Sequence, residues 1–476
     1  MASVIDCIVN FQVATKASYI LASNDEIGSS LYEVKCISEQ HKSVIDKICD
    51  ESTKGFKYWS QLKFQERIDI LQKVCLEVER CKDELIESME ETGMPRWFCE
   101  FNAGSISTHL SEYIRQISRS NGKVVQSEQT DLAMVVKTPV GPVLAISPWN
   151  APGVLTGRTI SAPLASGCSV IIKSNELSVK TTELIVKCFH NGGVPVNVLQ
   201  MVNVLPEDNK FVVEQFIKHK SVRKISFTGS TQVGSSIAST AGKYLKPCIL
   251  ELGGKNCTII EPDADLEKAI ETSLFTSWGH KGQICMSTDK IFIHESIYEE
   301  ALEKFVNIGK EFIKNPDFKI LQRTGIFTRK TKSLIDDALK KGGKILLGEY
   351  NPIVQNVNFE LTPLLLGEIP ESAEINDTEI FGAVACLYKY KDINELIEKV
   401  NDDDYGLKTS LWSKNTIKAY KLASLIESGG VHINSGTIFD ESTSPHGGVK
   451  SSGYGRFNSS WGIDEFCFDK IVTMCE

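Results

Sequence analysis

Several features are missing from this 476-residue chain, and each absence narrows the range of functions. The fourteen cysteines form no CxxC pair and no Cys/His cluster with zinc spacing, so neither a disulfide framework nor a metal site is predicted. No run of about 18 apolar residues occurs, which argues against a membrane span. No segment is rich in Lys or Arg, and the net charge of -9 disfavours a nucleic-acid or anionic-membrane partner.

The first residues also lack the features of a targeting segment. Residues 1–16 hold one basic residue, at their end, without a long apolar run or an Arg-rich transit pattern. We therefore expect a cytoplasmic protein whose thiols are free and mostly buried in a reducing compartment.

What the chain does contain is an alternation of strand-like and helix-like segments. Its length predicts two or three structural units. Residues 1–118 are predicted to be mainly helical, with clear helical spacing over residues 63–89. Two strand–helix blocks follow, one before about Leu252 and one after it. The strands of the first block are predicted at 142–147, 169–172, 198–202, 224–227 and 248–251. This pattern indicates an α/β fold with parallel sheets, which bind nucleotides at the carboxyl ends of their strands.

Two turns in the first block could bind a nucleotide. The sequence FTGSTQVG joins a strand to a helix, and Gly229 would let the backbone approach a pyrophosphate at the helix N-terminus. A tight turn with a packing glycine explains the same residues. Lys173 and Glu176 follow another strand, where a carboxylate could accept a hydrogen bond from a ribose hydroxyl. Two solvated charges at a helix start are the alternative.

Three further segments could carry chemistry. Cys285 lies in GHKGQIC, where a thiolate could attack a carbonyl carbon, although for any one of fourteen cysteines a buried structural thiol is the commoner explanation. Glu251 ends an apolar strand before two glycines and could act as a base on water; it could also face solvent at a turn. Asn150 follows Pro148 and Trp149, and its amide could donate to an oxyanion or simply sit in a rigid loop.

The order of these motifs is more specific than any one of them. PWN, K-x-x-E, FTGST, ELGGK, GQxC, EIFG and GGVKxSGxGR follow one another from about Thr53 to the end of the chain. In this order they resemble the aldehyde dehydrogenase superfamily. The stretch from PWNAP to Gly167 is similar to the salicylaldehyde, benzaldehyde and vanillin dehydrogenases.

The resemblance implies a three-part α/β subunit. A Rossmann-type NAD-binding domain would comprise residues 1–119 and 139–251, and an α/β catalytic domain residues 252–445. Residues 120–138 and 446–476 would form a small bridging sheet that joins subunits in a homodimer or homotetramer.

The resemblance also implies a role for each motif residue. The catalytic residues would be the nucleophile Cys285, the base Glu251 and the oxyanion donor Asn150. The cofactor, NAD or possibly NADP, would be bound by Trp149, Lys173, Glu176, Gly229, Ser230, Glu379 and Phe381. The expected reaction is the oxidation of an aldehyde, aromatic by the narrower resemblance, to an acid through a cysteine thioester. An aliphatic aldehyde or semialdehyde dehydrogenase, or an inactive binding relative, is the alternative.

The sequence departs from the family pattern at several positions. No Pro follows Lys173, Ala383 stands where Pro is frequent, and Thr159 occupies the position of a frequent lysine. Near the end, His446 replaces the phenylalanine of a proline–phenylalanine–glycine–glycine pattern. We expect these changes to alter proton relay or the lining near the substrate, without touching the three catalytic residues.

Overall fold

The computed structural model describes residues 3–5, 7–9, 32–119, 122–318, 321–322, 325–350, 359–360 and 362–475. Residues 10–31 and 120–121, which belong to the predicted cofactor and bridging parts, lie outside the described residues. The chain forms two compact units. The first comprises 1–250, 441–445 and 455–476, and the second comprises 251–440 and 446–454. The roles predicted for the separate domains remain predictions.

The α-helices occupy both units. They are α1 (Lys42–Trp59), α2 (Phe64–Arg80), α3 (Lys82–Glu90), α4 (Arg96–Ile117), α5 (Pro152–Ser166), α6 (Val179–Asn191), α7 (Asn209–Lys218), α8 (Thr231–Lys243), α9 (Leu266–Trp278), α10 (Tyr298–Lys314), α11 (Gly325–Lys340), α12 (Ile393–Asn401), α13 (Thr416–Ala423) and α14 (Ser459–Glu465).

The β-strands are mostly short. They are β1 (Ser3–Ile5), β2 (Tyr32–Val34), β3 (Lys123–Val125), β4 (Leu132–Pro139), β5 (Val143–Ile146), β6 (Val170–Lys173), β7 (Leu199–Val202), β8 (Lys224–Thr228), β9 (Cys248–Glu251), β10 (Cys257–Ile260), β11 (Lys290–His294), β12 (Leu321–Gln322), β13 (Lys344–Leu347), β14 (Phe359–Glu360), β15 (Leu364–Gly367), β16 (Val384–Tyr390), β17 (Tyr405–Gly406), β18 (Lys408–Trp412), β19 (Gly430–Ile433), β20 (Val449–Lys450), β21 (Gly453–Tyr454) and β22 (Cys467–Met474).

The main sheet of the first unit contains β9, β8, β5, β6 and β7 in that order. Strands β8, β5, β6 and β7 are parallel, and their residues are buried throughout. In register, Ile146 of β5 lies between Lys173 of β6 and Phe227 of β8. The carboxyl ends of these strands therefore bring the loops after residues 146, 173 and 228 to one edge of the sheet.

The second unit is built on a seven-stranded sheet with the order β13-β15-β16-β11-β10-β18-β19. Only β13 runs antiparallel to its neighbour. Successive residues of β10 face opposite sides: Ile260 packs with α9 and α10, whereas Ile259 packs with α12 and α13. Helices thus cover both faces, as the strand–helix alternation predicts.

A separate three-stranded antiparallel sheet belongs to the first unit. Strand β22 pairs along the whole of β4, from Cys467 opposite Pro139 to Met474 opposite Leu132, and β3 pairs with the other edge of β4. It carries exposed apolar side chains, namely Val124, Val125, Phe468, Ile471, Val472 and Met474. Such a surface is unusual for a monomer.

The predicted strands of the first block are confirmed to within a residue or two. The helical prediction over residues 63–89 is confirmed, and two features of the helices were not predicted. The segment 63–89 is two helices, because the chain breaks at Cys81, whose φ and ψ are -94° and 11°. The proline-containing stretch after Asn150 is a helix, α5, because Pro152 occupies its first position, where no amide hydrogen is needed.

Candidate active site

Asn150 lies in the loop between β5 and α5 in the first unit. The loop begins with Ser147, whose hydroxyl is 2.9 Å from the hydroxyl of Thr156 in α5. Asn150 is buried, with 5% of its surface exposed, and the adjacent Trp149 is half-buried. An amide held in a buried loop at the carboxyl edge of the sheet is suited to donate to a bound oxyanion.

Lys173 and Glu176 follow β6 at the same edge. The ammonium group of Lys173 donates to the carbonyl of Ser174 at 2.9 Å, and burial lowers the pKa of this lysine more than nearby Glu176 raises it. Glu176 is half-buried. A cation and a carboxylate thus follow the same strand, and either group could hydrogen-bond a ribose hydroxyl.

The turn between β8 and α8 contains Gly229 and Ser230. The Ser230 hydroxyl accepts a hydrogen bond from the Val233 amide at 3.4 Å and caps α8. A Cβ at Gly229 would lie 2.5 Å from the Phe227 ring, so a larger residue would displace the turn. The turn at Gly229 and the N-terminus of α8 could bind a pyrophosphate. Lys173 and Glu176, at the same edge of the sheet, could hydrogen-bond a ribose.

Glu251 ends β9 and begins the ELGGK loop of the second unit. Its side chain is fully buried. The two glycines that follow are required by close contacts: a Cβ would lie 2.8 Å from Glu379 Oε2 at Gly253, and 2.9 Å from the Cys285 carbonyl oxygen at Gly254. The loop that carries Glu251 therefore packs directly against Glu379 and the backbone of Cys285.

The turn that carries Cys285 has an unusual backbone. His280 and Lys281 have φ angles of 46° and 63°, a region that non-glycine residues seldom adopt. Gly282, with φ of 65°, could not carry a Cβ, which would lie 2.2 Å from the Gly382 carbonyl oxygen. The strain therefore lies directly before the thiol.

Asn256 joins the Glu251 loop to this turn. Its side-chain amide donates to the carbonyls of Cys285 at 2.8 Å and Ser287 at 2.9 Å, while its oxygen accepts from the Lys408 amide at 3.0 Å. The buried Asn256 side chain thus fixes the backbone of Cys285 from two sides. Asn256 was not among the residues predicted from the sequence. The one sequence feature that could have indicated it is a polar residue directly after ELGGK.

Cys285 is half-buried, whereas most of the cysteines are buried, and none of the fourteen forms a disulfide. Burial raises the pKa to about 12 for Cys36, Cys99, Cys168, Cys188 and Cys386 and to about 11 for Cys257 and Cys467. Those thiols stay protonated at neutral pH and cannot serve as nucleophiles.

Glu379 and Phe381 lie in the EIFG segment of the second unit. Burial raises the pKa of Glu379 to about 7, although nearby Lys330 lowers it. Phe381 has a φ of 54°. The Ile380 amide between them donates to Asp289 at 3.1 Å, and the same carboxylate oxygen accepts from Lys255 at 2.9 Å. Asp289, which the sequence analysis also missed, therefore ties EIFG to ELGGK.

Each unit thus gathers its own predicted residues. The first unit places the loops of Asn150, Lys173 and Ser230 at one sheet edge. The second unit packs the Glu251 loop against Glu379 and the backbone of Cys285. The roles assigned to these residues remain proposals.

The sequence pattern of the aldehyde dehydrogenase family matches residues 29–472. This chain belongs to the aldehyde dehydrogenase family. As an aldehyde dehydrogenase it is an NAD(P)-dependent oxidoreductase that acts on an aldehyde, which confirms the predicted class of enzyme, its cofactor type and its α/β fold. Among the described residues, no helix of this aldehyde dehydrogenase has both the length and the apolarity needed to cross a bilayer.

Among known aldehyde dehydrogenases, the chain is similar to those that act on aromatic aldehydes. It is 33% identical to the salicylaldehyde dehydrogenase of Pseudomonas putida over 441 residues, 90% of this chain and 89% of the other. It is 34% identical to the vanillin dehydrogenase of Pseudomonas fluorescens over 428 residues, 88% and 87% of the two chains. The crystal structure of salicylaldehyde dehydrogenase from Pseudomonas putida G7 with salicylaldehyde superposes with a TM-score of 0.93 at 29% identity, covering 100% and 98% of the chains.

Proposed function

We propose that this enzyme oxidises an aromatic aldehyde to the carboxylic acid, with NAD⁺ preferred over NADP⁺, through a thioester on Cys285. The observation that carries the proposal is the joint placement of a fully buried carboxylate, Glu251, and a half-buried thiol on two segments that Asn256 holds together. The aromatic relatives support the class of substrate.

In the first step, the Cys285 thiolate adds to the aldehyde carbon, forming a C–S bond and a thiohemiacetal oxyanion. The side-chain amide of Asn150 and the backbone N–H of Cys285 donate hydrogen bonds to this oxyanion. One such donor typically contributes about 2.7–4 kcal/mol to lowering the barrier. The hydrogen bond from Asn256 to the Cys285 carbonyl keeps that backbone in place.

When bound, the nicotinamide of the cofactor would accept a hydride from the thiohemiacetal carbon, and the loss of this hydride leaves a thioester. Glu251 then takes a proton from water, whose oxygen bonds to the thioester carbon. The C–S bond breaks, its electron pair returns to the sulfur, and the acid leaves. A base at this position favours hydrolysis over transfer of the acyl group to another thiol.

The cofactor would be held by the binding residues that the sequence predicts. Gly229 and Ser230 would bind the pyrophosphate at the start of α8, and Lys173 and Glu176 the adenosine ribose. Trp149, Glu379 and Phe381 would lie beside the nicotinamide end. A 2′-phosphate would be repelled by the carboxylate of Glu176, so we expect kcat/KM to be higher with NAD⁺ than with NADP⁺.

A substrate panel tests this proposal. NADH formation is measured with salicylaldehyde, benzaldehyde, vanillin, hexanal and succinic semialdehyde, each with both cofactors. We expect the highest kcat/KM for an aromatic aldehyde with NAD⁺. A preference for hexanal or the semialdehyde would contradict the substrate assignment, and a preference for NADP⁺ would contradict the role of Glu176.

A pair of cysteine variants tests the mechanism. Cys285→Ala should lower turnover by about 10⁴-fold or more, because no other nucleophile replaces the thiol. Cys75→Ala is the matched control: this thiol is also half-buried, but burial raises its pKa, so turnover should not change. Equal NADH formation by Cys285→Ala and the wild type would rule out thiol chemistry.

We also propose that the enzyme is a homo-oligomer that pairs through the β3–β4–β22 sheet. The side chains of Ile471 and Val124 are 62% and 74% exposed there, and a second copy would bury them. Light scattering of Ile471→Asp should show a smaller assembly than the wild type. Leu76→Asp is the control, since Leu76 is 70% exposed on α2 and is not part of this sheet. An unchanged mass for Ile471→Asp would overturn the proposed surface.

A further inference from the structure

The position of His446 next to Glu251 has no counterpart among the roles assigned above. His446 replaces a phenylalanine of the family pattern, lies in the second unit and is 1% exposed. Its Nε2 atom is 3.8 Å from Glu251 Oε1, and its Nδ1 atom is 3.5 Å from Asp440 Oδ1. The imidazole therefore lies between the proposed base and a second carboxylate.

A purely structural role explains this histidine poorly. Within the described residues, neither ring nitrogen of His446 makes a hydrogen bond. A buried polar group without hydrogen bonds costs about 1–3 kcal/mol, whereas a phenylalanine would fill the space at no such cost. Both separations are slightly longer than hydrogen bonds, as is common for catalytic groups before substrate binds.

Two further basic residues, His432 and Lys408, lie near the imidazole of His446. Burial, together with nearby Lys408 and His446, lowers the pKa of His432 to about 4, so its ring is neutral at physiological pH. The Lys408 ammonium group is 3.3 Å from His432 Nε2 and donates to it. The charged groups facing His446 are therefore Glu251, Asp440 and the more distant Lys408, with His432 uncharged.

Each turnover leaves a proton on the base. If Glu251 removes a proton from water, as the proposed function requires, the carboxyl group must lose that proton before the next cycle. Its side chain is 1% exposed, whereas that of Asp440 is 12% exposed. His446 spans the two.

We propose that His446 is a positioning residue that carries the proton from Glu251 to Asp440 during thioester hydrolysis. The O–H bond of Glu251 breaks as Nε2 gains the proton, and the carboxylate of Asp440 stabilises the resulting imidazolium. Nδ1 then releases its proton through Asp440 to solvent, and the ring must turn so that its unprotonated nitrogen again faces Glu251. No oxidant or other reactant is needed, because only a proton moves. This inference rests on the proposed role of Glu251.

An assay without cofactor isolates the step. p-Nitrophenyl acetate acylates the thiol directly, so the burst of p-nitrophenolate reports acylation and the later steady rate reports hydrolysis. For His446→Phe we expect an unchanged burst and a steady rate lower by about tenfold, in the range of coupling between contacting residues. The pH–rate profile of the steady phase should also change, since the imidazole no longer accepts the proton from Glu251.

Two further variants make the outcome decisive. His446→Gln keeps the polarity and much of the size but cannot carry a proton, so it should fold like the wild type and remain slow. Glu251→Gln should lower the steady rate to a small residual value, and adding His446→Phe to it should not lower that residual rate further, because the imidazole acts through Glu251.

The outcomes separate the two proposals. If Glu251→Gln is slow but His446→Gln hydrolyses at the wild-type rate with an unchanged pH profile, the relay is wrong and the base assignment stands. If Glu251→Gln hydrolyses at the wild-type rate, the base assignment itself fails. A further loss in the double variant would also overturn the relay, since it would show that His446 acts independently.

Discussion

Two candidate regions are built in different ways. One, called the cofactor edge, is the sheet edge of the first unit that carries Lys173 and Ser230; the other, called the thiol site, is the turn of the second unit that carries Cys285. At the cofactor edge, Lys173 and Ser230 follow regular strands, and Ser230 caps an ordinary helix. At the thiol site, left-handed backbone at His280 and Lys281 precedes Cys285, and a missing Cβ at Gly254 makes room for its carbonyl. Binding groups can tolerate small shifts, whereas a nucleophile must meet its substrate within a few tenths of an ångström. Substitutions at the thiol site should therefore lower kcat strongly, whereas substitutions at the cofactor edge should change cofactor binding by smaller factors.

After the Cys285 variant, the largest effect is expected at Asn150, which is proposed to serve the chemical step. Asn150→Ala should lower kcat by about 10²–10³-fold, because the oxyanion loses one donor. Cofactor affinity, measured by fluorescence titration, should remain unchanged. A loss of cofactor affinity with normal kcat would instead place Asn150 among the binding groups.

A somewhat smaller effect is expected at Gly254. In Gly254→Ala the new methyl group would lie 2.7 Å from Asn256 Oδ1 and 2.9 Å from the Cys285 carbonyl oxygen. Because Asn256 is held by its own hydrogen bonds, the turn that carries Cys285 must shift instead. We therefore expect kcat to fall by about 100-fold.

Gly104→Ala is the matched control for that substitution. Gly104 lies inside α4, and a Cβ there would meet nothing within 4 Å. Alanine should stabilise the protein by about 0.5–1 kcal/mol without changing kcat. Similar turnover in both variants would show that the thiol turn is more tolerant than its contacts indicate.

An effect of about tenfold is expected at Glu176. Glu176→Gln should raise the ratio of kcat/KM for NADP⁺ to that for NAD⁺, because a negative charge near the 2′ position is removed. The cofactor-free hydrolysis of p-nitrophenyl acetate should be unaffected. An unchanged ratio would indicate that the carboxylate turns away from the ribose.

The smallest effect is a pH dependence of cofactor binding. Because burial raises the pKa of Glu379 to about 7, its carboxylate becomes protonated as the pH falls through that value. If it accepts hydrogen bonds from a ribose, the Kd for NAD⁺ should rise a few-fold below about pH 7. Glu379→Gln should give a Kd that varies less with pH; an identical pH dependence in the variant would exclude Glu379 as the cause.

The order of short motifs along the chain was sufficient to predict the family, the α/β fold and the segments that carry the candidate site. It could not predict the contacts between distant segments. The bond from Asn256 to Cys285 and the Lys255–Asp289 pair join residues about thirty positions apart, and no local pattern encodes such pairs. The contribution of these residues to the candidate site could therefore not be predicted from the sequence.

Local propensity also failed where tertiary packing decides the structure. No glycine or proline marks the break at Cys81, so residues 63–89 have the pattern of one continuous helix. Conversely, proline commonly interrupts helices, yet Pro152 begins α5 and Pro163 lies within it. Strand β22 has charged and apolar residues mixed on an exposed surface, which gives only a weak strand signal.

The pairing of β22 with β4 also constrains the order of folding. Cys467 lies opposite Pro139, and the whole of the second unit is synthesised between these two residues. On the ribosome, β4 must therefore wait with one edge unpaired until the last strand emerges. Closing such a long loop is slow, and an unpaired edge invites association with other nascent chains. Chaperone demand during synthesis should therefore depend more on this one late strand than on the two larger sheets.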